Sequence, residues 1–404
     1  MARNAEFGRT DRIMLVALGV LLSAMAYAGI LLTTPDFAVV LPFGRDFLNF
    51  WMGGRVALEG RAEVLVDLAR YDEAARALFH FTDDLFVFSY PPPILPLLAP
   101  FGALPYAPAL LAWTGLNLAA LWASARLVTS DNRIALAACI SPAAAIMVVA
   151  GQFGGFLAFG ATYALKYAEA RPARAGLCLA LIAVKPQMAV ALGLMLLLAG
   201  RWRAVLWSIP PGLALLGLSV ALFGLDLWRG YVAQILPYQT SLLSNFVFQN
   251  LSTALSPYLG FRRIGLGSDL SWALQYAVSA AVVWLGARRL RGGGGEPADL
   301  LPPLLALLVA QPYANYYDLA IAAPVMAAVF LGPPRPGAVT PLAPIPALLL
   351  WLVPVLALLT KLKSVPIAIA ILTGCALYLL LRRTAAGAGP QKGPPSPAAL
   401  DCRD

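Results

Sequence analysis

Histidine occurs once in the 404-residue chain, as His80, so a histidine-based metal cluster is excluded by counting. The four cysteines, Cys139, Cys178, Cys375 and Cys402, show no Cys-x-x-Cys spacing, and three of them lie inside apolar runs. Neither a zinc ribbon nor a disulfide framework is indicated. Charge is equally scarce. Asp, Glu, Lys and Arg make up 12% of the residues against 60% hydrophobic, where a soluble globular domain carries about a quarter charged residues. The one glycine run, "GGGG" at 292–295, lacks the Lys-Ser/Thr of a phosphate-binding loop and reads as a flexible turn. No internal repeat is visible.

What is present is apolar sequence, with a mean hydropathy of +0.76. Runs long enough to cross a bilayer recur along the chain, which predicts an all-α polytopic membrane protein. Twelve spans are expected, near 13–33, 106–128, 134–150, 152–168, 173–184, 187–199, 203–223, 269–290, 299–313, 315–331, 340–360 and 364–382. The first run continues to Leu32, too long for a signal-peptide core, so an uncleaved span is expected. The organisation predicted is a cytoplasmic N-terminus (1–12), one membrane domain (13–383) and a Gly/Pro/Ala-rich disordered cytoplasmic tail (384–404). A formal charge of +9 does not imply nucleic acid here, because the bases cluster at span ends. Arg126 and Arg133, Lys166 to Arg174, Arg201 and Arg203, Arg288 to Arg291, and Arg382 and Arg383 then fall on one side, read as cytoplasmic.

The opposite side collects polar and aromatic sequence. The loop at 34–90 holds nine acids and five bases, which suits the outer face. Within it, 45–59 and 67–80 read as short amphipathic helices, and Phe47, Phe50, Trp51 and Met52 suggest an apolar face lying on the bilayer interface. The prolines of "YPPPILPLLAP" break any regular helix before the span at 106–128. "GQF" at 151–153, "KPQ" at 185–187, a second outer loop at 224–268 and "QPYANYYD" at 311–318 complete this face. Polar groups at the membrane edge are costly, so their gathering points to a site.

Asp46 is the candidate general base, or else an ordinary loop acid paired with Arg45 or Arg55. Lys185, a cation at a proline break, suits a phosphate, or else snorkels to headgroups. Arg262 and Arg263 can clamp a phosphate bidentately or touch lipid. Asn315, Tyr317 and Asp318, with Gln311, suit a sugar, though an interfacial aromatic belt also accounts for the tyrosines. His80, between two phenylalanines, reads as packing or surface.

The ordered set "GRDFLNFWMGGRVALEG", "SYPPPILPLLAPFGALPY", "GQFGGF", "LALIAVKPQMAVALGLMLLLAGRWRA", "NLSTALSPYLGFRRIG" and "QPYANYYDLAIAAP" resembles bacterial glycosyltransferase family 87 over about residues 10–383. That family is similar to polyprenol-phosphate-mannose-dependent mannosyltransferases and has the C-type membrane glycosyltransferase (GT-C) fold. The resemblance implies a polyprenyl-phosphate-linked sugar donor, a glycan or glycolipid acceptor and a periplasmic-side site in the bacterial inner membrane. It implies Asp46 as catalytic base and Lys185, Arg262 and Arg263 as donor-phosphate ligands. Substrate contacts expected are Arg45, Asn49, Tyr90, Gln152, Gln187, Asn250, Asn315, Tyr317 and Asp318. Phe153 departs from the family pattern, which has asparagine there, and the histidine that some relatives carry near 311–318 is absent. No cofactor is expected. A phosphate leaving group needs no metal, although Asp83 and Asp84 are a possible pair of ligands. The rival reading is a transporter or flippase of a lipid-linked glycan. The missing inverted repeat and the one-sided polar residues weigh against it.

Overall fold

The computed structural model describes residues 10, 14, 17–22, 24–25, 44–78, 86–244, 254–293, 295–332, 344–360 and 367–382. Among these the chain is helical, with one isolated β-bridge between Ala254 and Asn315. The segment predicted as the first outer loop gives α1 (Arg45–Leu58) and α2 (Leu68–Leu78). Its proline run gives a short 3-10 turn and α3 (Leu95–Gly102), which meets α4 (Tyr106–Val128) at 117°. There follow α5 (Asn132–Cys139), α6 (Pro142–Ala150), α7 (Gly154–Tyr167), α8 (Pro172–Ile182), α9 (Pro186–Leu198) and α10 (Trp202–Phe223). The segment predicted as the second outer loop holds α11 (Leu225–Gly230), a π-turn, α12 (Leu236–Ser244) and α13 (Pro257–Arg263). The chain then builds α14 (Ser268–Gly292), α15 (Pro297–Val309), α16 (Ala323–Leu331), α17 (Pro344–Thr360) and α18 (Ile367–Leu381).

Among the described residues two helices, α10 and α14, are long and apolar enough to cross a membrane alone, or up to four spans if each of two bent pairs counts as one. The remaining apolar helices are short, and α15 is buried from Leu300 to Val309 at the centre of the bundle. Several predicted elements differ in detail. The run at 134–150 is two helices bent by 47°, because Ser141 caps a new helix whose first residue is Pro142. The run at 315–331 is a 3-10 turn, Tyr316–Ile321, followed by α16. There a reciprocal Asn315–Asp318 capping box tightens the first turn. The aromatic face of α1 is not laid on the bilayer surface. Phe47, Phe50, Trp51 and Met52 are buried in protein, because Gly54 and Gly102 bring α1 and α3 into backbone contact. A Cβ at Gly102 would sit 2.2 Å from the Arg55 nitrogen, so only glycine permits this crossing.

The basic turns converge on one end of the bundle. Arg201 donates to the Leu165 carbonyl at 2.5 Å and the Leu290 carbonyl at 2.9 Å, and Lys166 donates to Leu127 at 2.5 Å. Arg291 donates to Leu198, and Arg289 to Leu380 at 3.1 Å. Each guanidinium or ammonium thus satisfies a carbonyl near the C-terminal end of a neighbouring helix, where the helix dipole also favours a cation.

Candidate functional site

The opposite end of α7 carries the polar residues. Gly151 ends α6 at φ 75°, a conformation that glycine adopts without strain. Its Cα faces Gly44 and Phe47 so closely that a Cβ would lie 2.6 Å from Phe47 Cβ. The Gly44 amide donates to Val149 at 2.8 Å, and Trp113 Nε1 donates to the Gly151 carbonyl at 2.9 Å. The turn is therefore fixed against the start of α1, and this brings Gln152 to Asp46. Gln152 Nε2 donates to Asp46 Oδ2 at 2.8 Å and lies 3.4 Å from the Tyr90 hydroxyl.

Asp46 retains partial contact with solvent. Burial raises its carboxyl above the ordinary carboxylate value, while the Gln152 hydrogen bond, Arg45 and Lys185 pull the other way. Arg45 alone would have lowered it, but desolvation dominates. The Tyr90 hydroxyl is held well above its ordinary value, again by burial and by the Asp46 charge, so it stays a neutral phenol.

A second cluster lies alongside. Lys185 stands just before Pro186, where the break between α8 and α9 leaves a buried ammonium at 8% exposure. It donates to Asp318 Oδ1, whose residue is 1% exposed. Asp318 Oδ2 accepts the Asn315 amide at 2.9 Å, and Asn315 Nδ2 donates to the Tyr317 hydroxyl at 3.0 Å. Lys185 Nζ also sits 5.5 Å from the Phe153 ring centroid and 5.4 Å from that of Tyr317, within cation–π range. Phe153 packs in turn on Tyr90 at 5.6 Å and Phe50 at 5.1 Å. It is the wall shared by both clusters. The 3-10 turn reaches this position because Gly154 lets Ala320 pack against the start of α7.

Of the predicted site residues, the structure joins Asp46, Tyr90 and Gln152 directly, and Lys185, Asn315, Tyr317 and Asp318 directly. Arg45 is exposed on the first turn of α1, where its charge acts on Asp46. Asn49, one turn on from Asp46, accepts from the Tyr71 hydroxyl at 2.8 Å and so docks α2 on α1. Gln187 is half-buried on the first turn of α9. Arg262 and Arg263 end α13, and Arg262 donates to the Leu266 carbonyl at 3.0 Å, closing its own turn. Asn250, His80, Asp83 and Asp84 lie outside the described residues. Among the described residues no group of three His, Cys, Asp or Glu is placed to hold a metal.

The sequence profile of glycosyltransferase family 87 matches residues 88–312, more than half of the chain. The chain belongs to glycosyltransferase family 87. No curated protein and no solved structure matches it. The matched stretch is narrower than the resemblance over 10–383. It contains Tyr90, Gln152 and Lys185, whereas Asp46 and Asp318 lie on either side of it. The fold closes both flanks onto the matched part, across 106 residues for Asp46–Gln152 and 133 for Lys185–Asp318.

Three residues that sequence reasoning did not count among the site residues support the candidate site or the helices around it. Phe153 was legible only as a departure from pattern. Gln275 accepts from the Tyr258 amide at 2.8 Å and donates to Ser279 at 2.9 Å and the Val309 carbonyl at 3.2 Å, tying α13 and α14 to the end of α15. Gln239 donates to the Ser89 carbonyl at 2.6 Å, beside Tyr90. A glutamine within an apolar helix was the signal for Gln275, and nothing local marked Gln239.

Proposed function

We propose that this family 87 glycosyltransferase moves a sugar, mannose or a related hexose or pentose, from a polyprenyl phosphate to a hydroxyl of a glycan or glycolipid. Asp46 is the general base. The acceptor O–H proton passes to the Asp46 carboxylate as the oxygen bonds to the anomeric carbon. The bond from that carbon to phosphate oxygen breaks on the opposite face, so configuration inverts and polyprenyl phosphate leaves with one more negative charge. Lys185 meets that charge. Its ammonium has three donors and Asp318 engages one, so the others remain for phosphate oxygens.

The observation that carries this reading is the pairing of a partly solvent-accessible carboxylate of raised basicity with a buried lysine across one aromatic wall. A general base gains efficiency as its pKa moves toward the working pH. Helix length supports a lipid-borne donor. The 14 residues of α7 and 13 of α9 each rise only about 20 Å, against a hydrocarbon core of roughly 30 Å. With the arginine end anchored at one interface, the Gln152 and Lys185 ends of these helices stop short of the other. A phosphate attached to a lipid reaches that depth from the side.

On this reading the protein sits in the bacterial inner membrane with the site facing the periplasm, and the twelve apolar runs are membrane-embedded segments of which α7 and α9 do not cross completely. Glu73 is exposed on α2, so a Glu73→Cys protein should react with an impermeant thiol reagent in intact spheroplasts. Labelling only after lysis would move the site to the cytoplasm. The test of the activity is transfer of radiolabelled sugar from purified polyprenyl-phosphate hexose or pentose to extracted envelope glycolipid by the reconstituted protein. Loss of transfer in Asp46→Asn, with donor still bound, supports the transferase. Unchanged lipid-linked glycan translocation in that variant, with no transfer by the parent, would favour the flippase.

A further inference from the structure

The arginine end of the bundle carries a cavity that sugar transfer does not use. It has a volume of about 420 Å³ and is lined by Glu169, Gly200, Arg201, Trp202, Arg203 and Arg291 at the junction of α7, α9, α10 and α14. Three guanidinium groups face one carboxylate, a balance of +2. Arg201 is half-buried and Arg291 exposed, and both are tied to the fold. Arg201 is braced by the Leu165 and Leu290 carbonyls and Arg291 by the Leu198 carbonyl. Arg203 stacks 5.6 Å from the Trp202 ring and is otherwise exposed. Gly200 leaves open space at the cavity mouth, where no atom lies within 4 Å of a built Cβ.

The helix that starts here is apolar and exposed along its length. Only 6% of its most apolar window is buried inside the protein. Leu206, Trp207, Ile209 and Leu213 are about half or more exposed, at 51%, 53%, 49% and 62%. A fixed cationic cavity at the head of an unburied apolar helix matches a molecule with an anionic head and hydrocarbon tails. Basic pockets between spanning helices recognise lipid headgroups in this way. Trp202 at the cavity is half exposed, and indoles favour the headgroup level of a bilayer. The shared chemistry of the ligand is a phosphate ester, and the continuity with the lipid-facing side of α10 selects the membrane as its source.

We propose that the cavity at the head of α10 binds the phosphodiester headgroup of an anionic phospholipid, whose acyl chains lie along α10. The site is separate from the Asp46–Lys185 end and does not depend on the transferase reading. The test is native mass spectrometry of the full-length protein released from nanodiscs, titrated with dioleoylphosphatidylglycerol, dioleoylphosphatidylcholine or glycerol 1-phosphate. The parent should retain phosphatidylglycerol in preference to phosphatidylcholine. Arg203 makes no described hydrogen bond within the fold, so Arg203→Glu leaves the braced arginines in place. That variant should weaken phosphatidylglycerol binding roughly thirtyfold, about fivefold for each unit of charge removed, and leave phosphatidylcholine binding unchanged. Equal retention of both lipids by the parent, or full retention of phosphatidylglycerol by Arg203→Glu, would overturn the assignment. So would glycerol 1-phosphate binding as tightly as the lipid, which would make the cavity a soluble-anion site. Arg203→Gln, with half the charge change, should lose about fivefold, and no loss there would count against an electrostatic headgroup site.

Discussion

The two ends of α7 handle charge in opposite ways. At the Lys166 end, cations reach out to carbonyls of neighbouring helices, and each bond uses a cation to finish a helix. At the Gln152 end, charges turn inward. Asp46 is drawn into a desolvated place and Lys185 is buried against Asp318. The first arrangement lowers the energy of the fold directly, because the unsatisfied carbonyls gain strong donors. The second costs desolvation that the pair only partly returns. A chain with so few charges has placed its expensive ones at one end, which is where chemistry that develops charge would need them.

The comparison breaks most visibly at Asp46. Asp46→Asn keeps the shape but cannot take a proton, so transfer should fall on the order of 10² to 10⁴-fold while donor binding persists. Stability should move the other way. Because burial raises the folded-state pKa, the native protein holds this proton more tightly than the unfolded chain does, and stability declines as pH rises through that range. Asn removes that cost, so the variant should be at least as stable as the parent at neutral pH. The parent's rate should fall as pH drops through the raised pKa of Asp46, and the acid limb should lie above that of an ordinary carboxylate. Gln152→Leu deletes a hydrogen bond that lowers the pKa, so it should push the limb further up. A limb unmoved by that change, or an Asn variant with parental rate, would remove Asp46 as the base.

Lys185 and Asp318 sharpen the contrast next. Removing one partner strands a buried charge at a cost of about 3–5 kcal/mol. Lys185→Met and Asp318→Leu should therefore each lose folded yield and unfold at lower temperature in detergent. The double variant should recover most of the loss. If it also recovered transfer, the pair would be structural and the phosphate contact would have to be sought elsewhere, first at Arg262 and Arg263.

Much of the fold was legible because helix signals are local. Tyr106–Val128 matches the predicted span at 106–128, and Pro186 breaks the chain where the "KPQ" motif said it would. The residues of the candidate site were legible as a set, because polar side chains stand out in apolar sequence. Its pairings were not. Asp318 was expected among the substrate contacts, and nothing in the sequence announced that it also meets Lys185, 133 residues away. The burial of α1's aromatic face was also hidden. It depends on a backbone contact between Gly54 and Gly102, and glycines carry no side chain to advertise a partner.

Gly151→Ala tests the hinge between the two halves of the site. The Cβ would meet Phe47 at 2.6 Å in a left-handed conformation, a strain of about 1–3 kcal/mol. The Gln152–Asp46 bond should loosen, so transfer should fall more than donor affinity does. Equal losses in both would show that the turn only holds the bundle together.

The smallest effect is expected at the other end. Arg201→Lys keeps the charge but loses the planar fork that reaches two carbonyls on different helices. A lysine can satisfy one of them, and a hydrogen bond to a charged group is worth about 1.5–3 kcal/mol. The loss should sit at the low end of that range, because water at this half-buried position can hydrate the released carbonyl. Thermal unfolding should therefore shift down by a few degrees. The rate of transfer and its pH profile should not move, because Leu165 and Gln152 lie at opposite ends of α7, about 20 Å apart, and an additive, local change does not carry that far. A changed pH profile in Arg201→Lys would mean that the two ends are coupled, and that the charge at Asp46 is set partly from the far side of the bundle.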